Sequence, residues 1–294
     1  MSNSQRARAA IPAAGGADHA PPTGRRLDAP RAWLEAARRR FAIGAPNARR
    51  RRKVEPTHAY PATPEGETLY VIGDVHGRAD CLVRAQALID LDRANAPSAT
   101  EIYLGDYVDR GQDSKTVLSL MAARARARRV VALRGNHETA MESFLAGRLP
   151  FAAWRAVGGA ETLLSYGFAA SDFRLPDGPR REDFAERLPE DHRRFLAALS
   201  ACHRVGCYVF AHAGLRPGVA LENQDLDDLT GIRDAFLDHE DDFGFIVVHG
   251  HTPVERVDFR SNRINLDTGA YVSNQLSVLR IDADGAALLA PKPS

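Results

Sequence analysis

The sequence has few cysteines, no long apolar run and almost no net charge, and each shortage excludes a class of protein. Three cysteines in 294 residues, without C-x-x-C spacing, favour neither a disulfide framework nor a zinc knuckle. Reduced thiols in the cytoplasm fit this usage better. No stretch approaches the roughly 18 apolar residues that a membrane-spanning helix needs, and the first residues lack the apolar core of a signal peptide. We therefore expect a cytoplasmic protein with no transmembrane segment.

The net charge of +1 hides a basic first part and an acidic remainder. Residues 1–66 carry 13 Lys/Arg and 5 Asp/Glu, a balance of +8, which leaves −7 for the rest. Their Ala, Gly, Pro and Arg content is typical of disorder, although residues 30–42 could form one amphipathic helix. Residues 49–53 are five consecutive cations. We predict a disordered basic extension that is either a solvated tail or binds an acidic partner or a membrane surface, without specific nucleic-acid binding.

From residue 67 onward, short apolar runs alternate with helical patterns. Three of these runs are TLYVIG, EIYLGD and VVALRGN. Continuous apolar runs are typical of parallel strands that are buried on both faces, and the helical patterns between them indicate β-α-β units. Residues 147–201 are mostly helical, after which residues 204–212 and 245–251 read as single strands. The runs VDF, INL and LSVLRI follow, with a hairpin around residues 260–263.

These patterns predict one catalytic domain over residues 67–294. Its fold class is α/β (α+β), with two mixed β-sheets stacked as a sandwich and flanked by helices. A chain of this length lies within the range of single domains.

Polar side chains cluster where the apolar runs end. Each of these residues alone is weak evidence for a functional site, because an Asp after a strand is often a turn residue and a lone His is usually structural. The conjunction of five such loops, each with a ligand-type residue beside glycine, indicates a site at the carboxyl ends of the strands. The loops are GDVHG with Asp74 and His76, GDYVDRG with Asp106, Asp109 and Arg110, RGNHE with Asn136 and His137, HAG with His212, and HGHTP with His249 and His251.

The candidate ligands combine oxygen and imidazole donors and include no thiolate. Such a set favours Mn, Fe, Zn or Co over Ca or Mg, and it argues against a closed structural zinc site. The loops offer more ligands than one ion needs. We therefore expect two divalent ions, with one carboxylate bridging them.

The five motifs, in this order, resemble the phosphoprotein-phosphatase branch of the calcineurin-like metallophosphoesterases. The chain is most similar to the bacterial and bacteriophage-lambda-type serine/threonine protein phosphatases, over roughly residues 68–290. The resemblance implies the αββα fold of that family and two metal ions, with manganese expected and iron with zinc, cobalt or nickel as alternatives. It also implies the ligands: Asp74 and His76 for the first ion, Asp106 bridging both, and Asn136, His212 and His251 for the second.

The resemblance further assigns the residues that act on the substrate. His137 would be the general acid that protonates the leaving oxygen, oriented by Asp109, and Arg110 and Arg233 would bind the phosphate oxygens. Arg233 is matched by its place in LTGIRDAF, where Gly231 stands at a position that carries Trp in family members. A hydroxide bridging the two ions would attack phosphorus, while arginine forks stabilise the phosphoryl oxygens. A serine alkoxide leaves poorly, so a general acid is needed.

Three functions are compatible with these motifs. The leading hypothesis is a protein serine/threonine phosphatase acting on a phosphorylated protein or a small phosphoester, and the alternative is a symmetrical diadenosine tetraphosphate hydrolase. A catalytically inactive binding module is disfavoured because no expected ligand, acid or phosphate-binding residue is missing. Near the motifs, we interpret Glu138 as a residue that begins or caps a helix, Asp267 as one that orients a ligand, and His249 as structural.

Overall fold

Two five-stranded sheets organise residues 60–64, 66–93 and 98–289, which are the residues that the computed structural model describes. The amphipathic helix predicted over residues 30–42 and the cationic run at residues 49–53 lie outside this part of the chain.

The first sheet has the strand order β10-β9-β1-β2-β3. Its strands are β1 (Thr68–Ile72), β2 (Ala99–Tyr103), β3 (Val130–Ala132), β9 (Val278–Asp282) and β10 (Gly285–Leu288). As predicted from the apolar runs, β1 pairs parallel with β2, and β2 pairs parallel with β3. The chain returns at its end to add β9 and β10 in antiparallel pairing on the other side of β1.

The second sheet has the order β4-β5-β6-β8-β7. Its strands are β4 (Cys202–Val205), β5 (Tyr208–Ala211), β6 (Ile246–His249), β7 (Asp258–Phe259) and β8 (Arg263–Asn265). The inner pairs β5–β6 and β6–β8 are parallel, and the outer pairs β4–β5 and β7–β8 are antiparallel. The hairpin predicted around residues 260–263 is therefore confirmed as the turn between β7 and β8.

The single strand predicted over residues 204–212 is wrong, because the segment is a hairpin. Val205 pairs with Tyr208, so the chain reverses at Gly206 and Cys207. Gly206 has a φ of 55°, in the left-handed region that tight hairpin turns require and that glycine adopts without strain. The apolar character of the whole segment hides this turn from a periodicity argument.

Ten α-helices of the described residues cover the outer faces of the sheets or cap the site. They are α1 (Ala79–Asp92), α2 (Ser114–Ala127), α3 (Asn136–Leu145), α4 (Phe151–Ala156), α5 (Gly159–Ser165), α6 (Asp177–Arg187), α7 (Glu190–Ala197), α8 (Leu226–Gly231), α9 (Asp234–Leu237) and α10 (Ala270–Ser273). Short 3-10 turns lie at Ala170–Arg174 and Leu221–Asn223. None of the described helices has the length and apolar character to cross a membrane.

Alternation along β1 shows how the layers stack. Leu69 and Val71 lie in an apolar cluster with Phe210 of the second sheet, so this face lies between the sheets. Tyr70 and Ile72 point the other way and pack among the residues of α1 and α2. The second sheet likewise buries its outer face against α8 and α9. The predicted sandwich of two mixed sheets flanked by helices is confirmed.

Residues ahead of β1 pack on both sheets. Tyr60 is 8% exposed and belongs to the apolar cluster between the sheets, and its hydroxyl donates to the Arg260 carbonyl at 2.7 Å. The Thr63 amide donates to the Asp282 carbonyl at 3.2 Å, and the Tyr208 hydroxyl donates to the Pro61 carbonyl at 2.6 Å. These contacts precede the domain boundary predicted at residue 67.

Candidate metal centre and phosphate site

The five loops that carry the predicted site residues converge at one end of the sandwich. Three follow β1, β2 and β3 of the first sheet, and two follow β5 and β6 of the second. Carboxyl ends of parallel strands meet at the same edge of a sheet, so stacking the two sheets brings both sets of loops together. Their meeting point is the carboxylate of Asp106, which is buried.

Asp106 lies between histidines from both sheets. Its Oδ2 is 3.3 Å from His76 Nε2 and 3.8 Å from His137 Nε2, and its Oδ1 is 3.4 Å from His212 Nε2. Two groups of donor atoms close enough to hold an ion share this carboxylate: His76, Asp106 and His137, and Asp106, His212 and His251. A carboxylate common to both groups is what the predicted bridging role of Asp106 requires.

The hydrogen bonds of two histidines leave their other ring nitrogen free to bind metal. His76 Nδ1 is 3.0 Å from the Val108 carbonyl, and His212 Nδ1 is 3.0 Å from the Leu104 carbonyl. A carbonyl oxygen only accepts, so each Nδ1 carries the proton, and each Nε2 presents a lone pair to Asp106. Two acceptors facing each other across such short distances repel, and a cation between them removes that repulsion.

Asn136 extends the same pattern on the second side. Its Oδ1 lies 3.1 Å from His212 Nε2 and 2.9 Å from His251 Nδ1. The amide oxygen and the His212 nitrogen are both acceptors, as at Asp106. The structure thus gathers Asn136, His212 and His251, which are the three residues predicted for the second ion.

Asp74 approaches from the end of β1 and meets the loop after β6. Its Oδ2 accepts the His251 amide at 2.9 Å, while its Oδ1 is buried and has no hydrogen-bond partner among the described residues. His251 Nε2 is also buried and unpartnered within that part of the chain. A Cβ at Gly250 would lie 2.0 Å from Asp74 Oδ1, so only glycine permits this approach.

Protonation follows from burial and from the crowding of charges. Burial holds the pKa of His76 at about 3, and burial together with His212 holds that of His251 at about 3. Burial also lowers the pKa of His212. The neutral imidazoles that result are the form that binds a metal ion. Burial, followed by the charges of Asp267 and Asp106, raises the pKa of Asp74 well above its usual value, a cost that a cation would relieve.

The residues present therefore fit two divalent cations. Buried carboxylates repel one another, lone pairs face acceptors, and buried polar atoms lack partners, all at one point. The donors are oxygens and imidazole nitrogens, as for Mn, Fe, Zn or Co. The residues placed to hold the ions are Asp74, His76, Asp106, Asn136, His212 and His251.

Left-handed backbone is concentrated at this centre. Six described residues other than glycine have φ between 43° and 70°, and five of them belong to the site loops: His76, Asp106, Asp109, Arg110 and His251. Residues with side chains rarely adopt this region, which costs about 1–3 kcal/mol per residue and persists where the surroundings enforce it. The surrounding structure therefore holds the site loops in backbone conformations that are unfavourable for these residues in isolation.

Glu138 is the side chain that enforces the loop after β2. Its carboxylate accepts the amides of Asp106 at 3.0 Å, Tyr107 at 2.7 Å and Val108 at 3.2 Å, and that of Gly135 at 3.0 Å. The interpretation of Glu138 as a capping residue of a helix is confirmed for α3, since its bond to the Gly135 amide caps that helix. Its three bonds to the neighbouring loop were not anticipated.

His137 and Asp109 are paired as predicted. His137 Nδ1 donates to Asp109 Oδ2 at 2.8 Å. Burial lowers the pKa of His137, but the charges of Asp106 and Asp109 outweigh it, so the net shift is upward. An imidazole that keeps its proton in this way suits a general acid. Its Nε2 also lies within reach of the first metal group, so the geometry alone permits either role.

Two residues that the motifs do not mark hold Asp109 in place. Trp154 Nε1 of α4 donates to Asp109 Oδ2 at 2.9 Å, and the Thr162 hydroxyl of α5 donates to Asp109 Oδ1 at 2.7 Å. Trp154 is fully buried, and a buried indole needs a partner for its N–H. That need is the only signal in the sequence that could have pointed to this contact.

The two predicted phosphate-binding arginines differ in their surroundings. Arg110 is half-buried, and its Nη2 lies 3.2 Å from His137 Nε2. Arg233 is exposed, and its Nη1 is 3.5 Å from the Thr252 hydroxyl, a weak contact. A Cβ at Gly231 would meet open space, two residues before the exposed Arg233.

Asp267 and His249 lie next to the ligands. Asp267 Oδ1 accepts the Gly269 amide at 2.9 Å, and its charge acts on Asp74. His249 is buried, its Nδ1 lies 3.1 Å from the Gly250 carbonyl, and its ring packs edge-on against Phe236. These contacts are consistent with an orienting role for Asp267 and a structural one for His249.

Comparison with known proteins gives a family and a fold. The sequence model described as calcineurin-like phosphoesterase matches residues 68–283. The asymmetrical bis(5'-nucleosyl)-tetraphosphatase PrpE of Anoxybacillus flavithermus is 25% identical over 233 residues, which cover 71% of this chain and 89% of that protein.

Two solved structures match this chain over most of its length. A candidate diadenosine tetraphosphatase superposes with a TM-score of 0.53 at 19% identity, covering 81% of this chain and 100% of the other. A cold-active protein-tyrosine phosphatase of a Shewanella species gives a TM-score of 0.46 at 16% identity, covering 81% and 83%. The first of these likenesses supports the fold alone.

Proposed function

The chain belongs to the calcineurin-like phosphoesterase family and is a hydrolase of phosphoester bonds, and from this premise we propose that it is a metal-dependent phosphomonoesterase acting on phosphoserine or phosphothreonine in proteins. The observation that carries the proposal is the placement of the His137–Asp109 pair beside the Asp106-centred donor groups, with Arg110 next to it. Nucleophile activation, charge neutralisation and leaving-group protonation are then supplied at one point.

Two divalent ions, when bound, would lower the pKa of a water molecule and neutralise charge on the phosphoryl oxygens. The proposed ligands are Asp74, His76, Asp106, Asn136, His212 and His251. Manganese is the metal we propose, in keeping with the oxygen and imidazole donors.

The remaining steps belong to side chains of this chain. Arg110 and Arg233 bind the phosphate oxygens through their guanidinium edges. His137 donates its Nδ1 proton to Asp109, and, against the effect of burial, the charges of Asp106 and Asp109 raise its pKa. The imidazole therefore keeps a second proton, on Nε2, and delivers that proton to the leaving oxygen. This acid favours a substrate with a poor leaving group, such as a serine or threonine alkoxide. That preference is our reason for placing phosphoproteins first.

A second candidate is a dinucleoside tetraphosphate hydrolase. It is favoured by the name of the relative from Anoxybacillus flavithermus, although that name specifies asymmetrical cleavage and the alternative considered from the sequence was a symmetrical hydrolase. Phosphate leaving groups need less protonation than alkoxides, so this substrate would depend less on His137.

Hydrolysis by purified full-length protein with added manganese tests both candidates. Released inorganic phosphate is measured for a phosphoserine peptide, and the nucleotide products are separated by chromatography for diadenosine tetraphosphate. We expect a higher kcat/KM for a phosphoserine peptide than for diadenosine tetraphosphate, and no turnover after chelation or in Asp106→Asn. The opposite substrate ranking would establish the second candidate. Turnover that survives chelation would refute the metal-dependent mechanism altogether.

The role of His137 is tested separately by His137→Asn. We expect kcat on an alkyl phosphate to fall about 100-fold while manganese content matches wild type by elemental analysis. A variant that has lost manganese would mean that His137 is a ligand in the group with His76 and Asp106.

A further inference from the structure

The ring of Tyr271 lies against the candidate phosphate site, outside the residues assigned so far. The Arg110 guanidinium carbon stands 4.8 Å from the centre of the Tyr271 ring. The same ring makes an edge contact with His76, with centroids 5.3 Å apart. Tyr271 is half-buried, so it lies between the protein interior and the mouth of the site.

The backbone and the long side chain of Arg110 are both restricted by their surroundings. Its backbone is left-handed, with φ of 65°, and its amide donates to the Gly158 carbonyl at 3.2 Å. Its guanidinium meets the His137 ring nitrogen on one side and the face of Tyr271 on another. A cation over an aromatic face is attracted by the electrons of the ring. The contact also restricts the rotamers of a side chain that otherwise has many.

The backbone that carries Tyr271 is tied to the start of α1. Arg78 Nη1 donates to the Ala270 carbonyl at 2.7 Å, and Asp80 fixes the same guanidinium through two bonds of 2.8 and 2.9 Å. Ala270 is buried, and Asp267 accepts the Gly269 amide just before it. The ring of Tyr271 is thus carried by an anchored segment.

We propose that Tyr271 is a positioning residue for phosphate binding, acting through Arg110; this inference rests on the proposed function. The ring supports one face of the guanidinium and leaves its N–H edge free for two phosphate oxygens. Tyr271 needs only its aromatic face for this role, because the recorded contacts are made by the ring. Phenylalanine should therefore replace it, whereas an aliphatic side chain of similar size should not.

The variants Tyr271→Phe, Tyr271→Leu and Tyr271→Met test the proposal in the full-length, manganese-loaded protein. We expect inorganic phosphate, measured by calorimetry, to bind about 5- to 20-fold more weakly to the Leu and Met variants and within about 2-fold of wild type to the Phe variant. The KM for p-nitrophenyl phosphate should rise by a similar factor, with a smaller change in kcat. Equal phosphate binding in all three variants overturns the proposal, and Tyr271→Met serves if Tyr271→Leu fails to fold.

A double-mutant cycle with Arg110→Ala identifies the route of the effect. If Tyr271 acts through Arg110, Tyr271→Leu should weaken phosphate binding no further in the Arg110→Ala background. An undiminished loss in that background, or a loss of manganese from Tyr271→Leu alone, would show action through His76 or the fold and overturn the inference. If wild type hydrolyses no phosphoester but the binding pattern holds, the proposed function fails and the role of Tyr271 stands.

Discussion

Two truncations test where the folded domain begins. One removes residues 1–59 and the other removes residues 1–66, so they differ only in the segment that packs against both sheets. We propose that the domain starts at or before Tyr60 rather than at residue 67. The first truncation should then unfold at the same denaturant concentration as the full chain, and the second at a clearly lower one.

The size of the difference follows from the contacts of this segment. An aromatic side chain buries about 150–250 Å², and at roughly 25 cal/mol per Å² the loss of Tyr60 costs about 4–6 kcal/mol as an upper estimate. Allowing for the compactness of the unfolded chain lowers this cost to about 3–4 kcal/mol. The hydrogen bonds of Tyr60, Thr63 and Tyr208 to their partners are also lost, at about 1 kcal/mol each. Part of this free energy is regained, because the truncation exposes the Tyr208 hydroxyl, which can then form a hydrogen bond with water. We expect a net destabilisation of about 3–5 kcal/mol.

Urea denaturation of both truncations, followed by circular dichroism in the presence of chelator, measures this difference without a contribution from bound metal. Tyr60→Ala in the full chain is the matched control and should account for most of the loss. Equal unfolding midpoints for the two truncations would refute the reasoning and return the boundary to residue 67.

Three further predictions concern the site and the helical layer. Gly250→Ala should bind manganese at least about 10-fold more weakly by calorimetry, since its Cβ would lie 2.0 Å from Asp74 Oδ1. The control is Gly231→Ala, whose Cβ meets open space. Wild-type affinity in Gly250→Ala would contradict the packing argument. Trp154→Phe removes one hydrogen bond to the Asp109 carboxylate, so kcat on an alkyl phosphate should fall about 10-fold with manganese content unchanged, and an unaltered kcat would separate Trp154 from the acid. Burial lowers the pKa of His192 to about 4, so the unfolded chain takes up the proton first, and the free energy of unfolding should fall as the pH drops from about 6.5 towards 4. His192→Gln should therefore reduce the difference in unfolding free energy between pH 7.5 and pH 5 by about 1–2 kcal/mol. An identical pH dependence in both proteins would show that His192 is not buried in its neutral form.

Local sequence patterns were sufficient for the strands and the ligand loops. Buried parallel strands are continuous apolar runs, and the ligands follow them directly, so Asp74, Asp106 and Asn136 could be placed from sequence alone. The apolar run that contains Gly206 was misread because a two-residue turn inside it leaves no break in hydrophobicity.

Contacts between distant segments could not be predicted in this way. Trp154 and Thr162 reach Asp109 across 45 and 53 residues, and Tyr271 reaches Arg110 across an even longer separation. Neither periodicity nor motif spacing encodes such pairs. They depend on how α4, α5 and α10 fold over the end of the sandwich, which is a property of the tertiary structure.

The bonds of Glu138 bear on how the site exchanges its ions. Four amides of the β2 loop and of the start of α3 are bound by one buried carboxylate, so the loop that presents Asp106 is ordered by the protein itself. An ion that binds to a site already ordered in this way does not have to immobilise the loop, so less of its binding free energy is lost to conformational entropy. The same amides should resist deuterium exchange whether or not ions are present. We therefore expect ions to dissociate and rebind while this loop stays folded. One sample of folded protein could then be reconstituted with different divalent ions in turn.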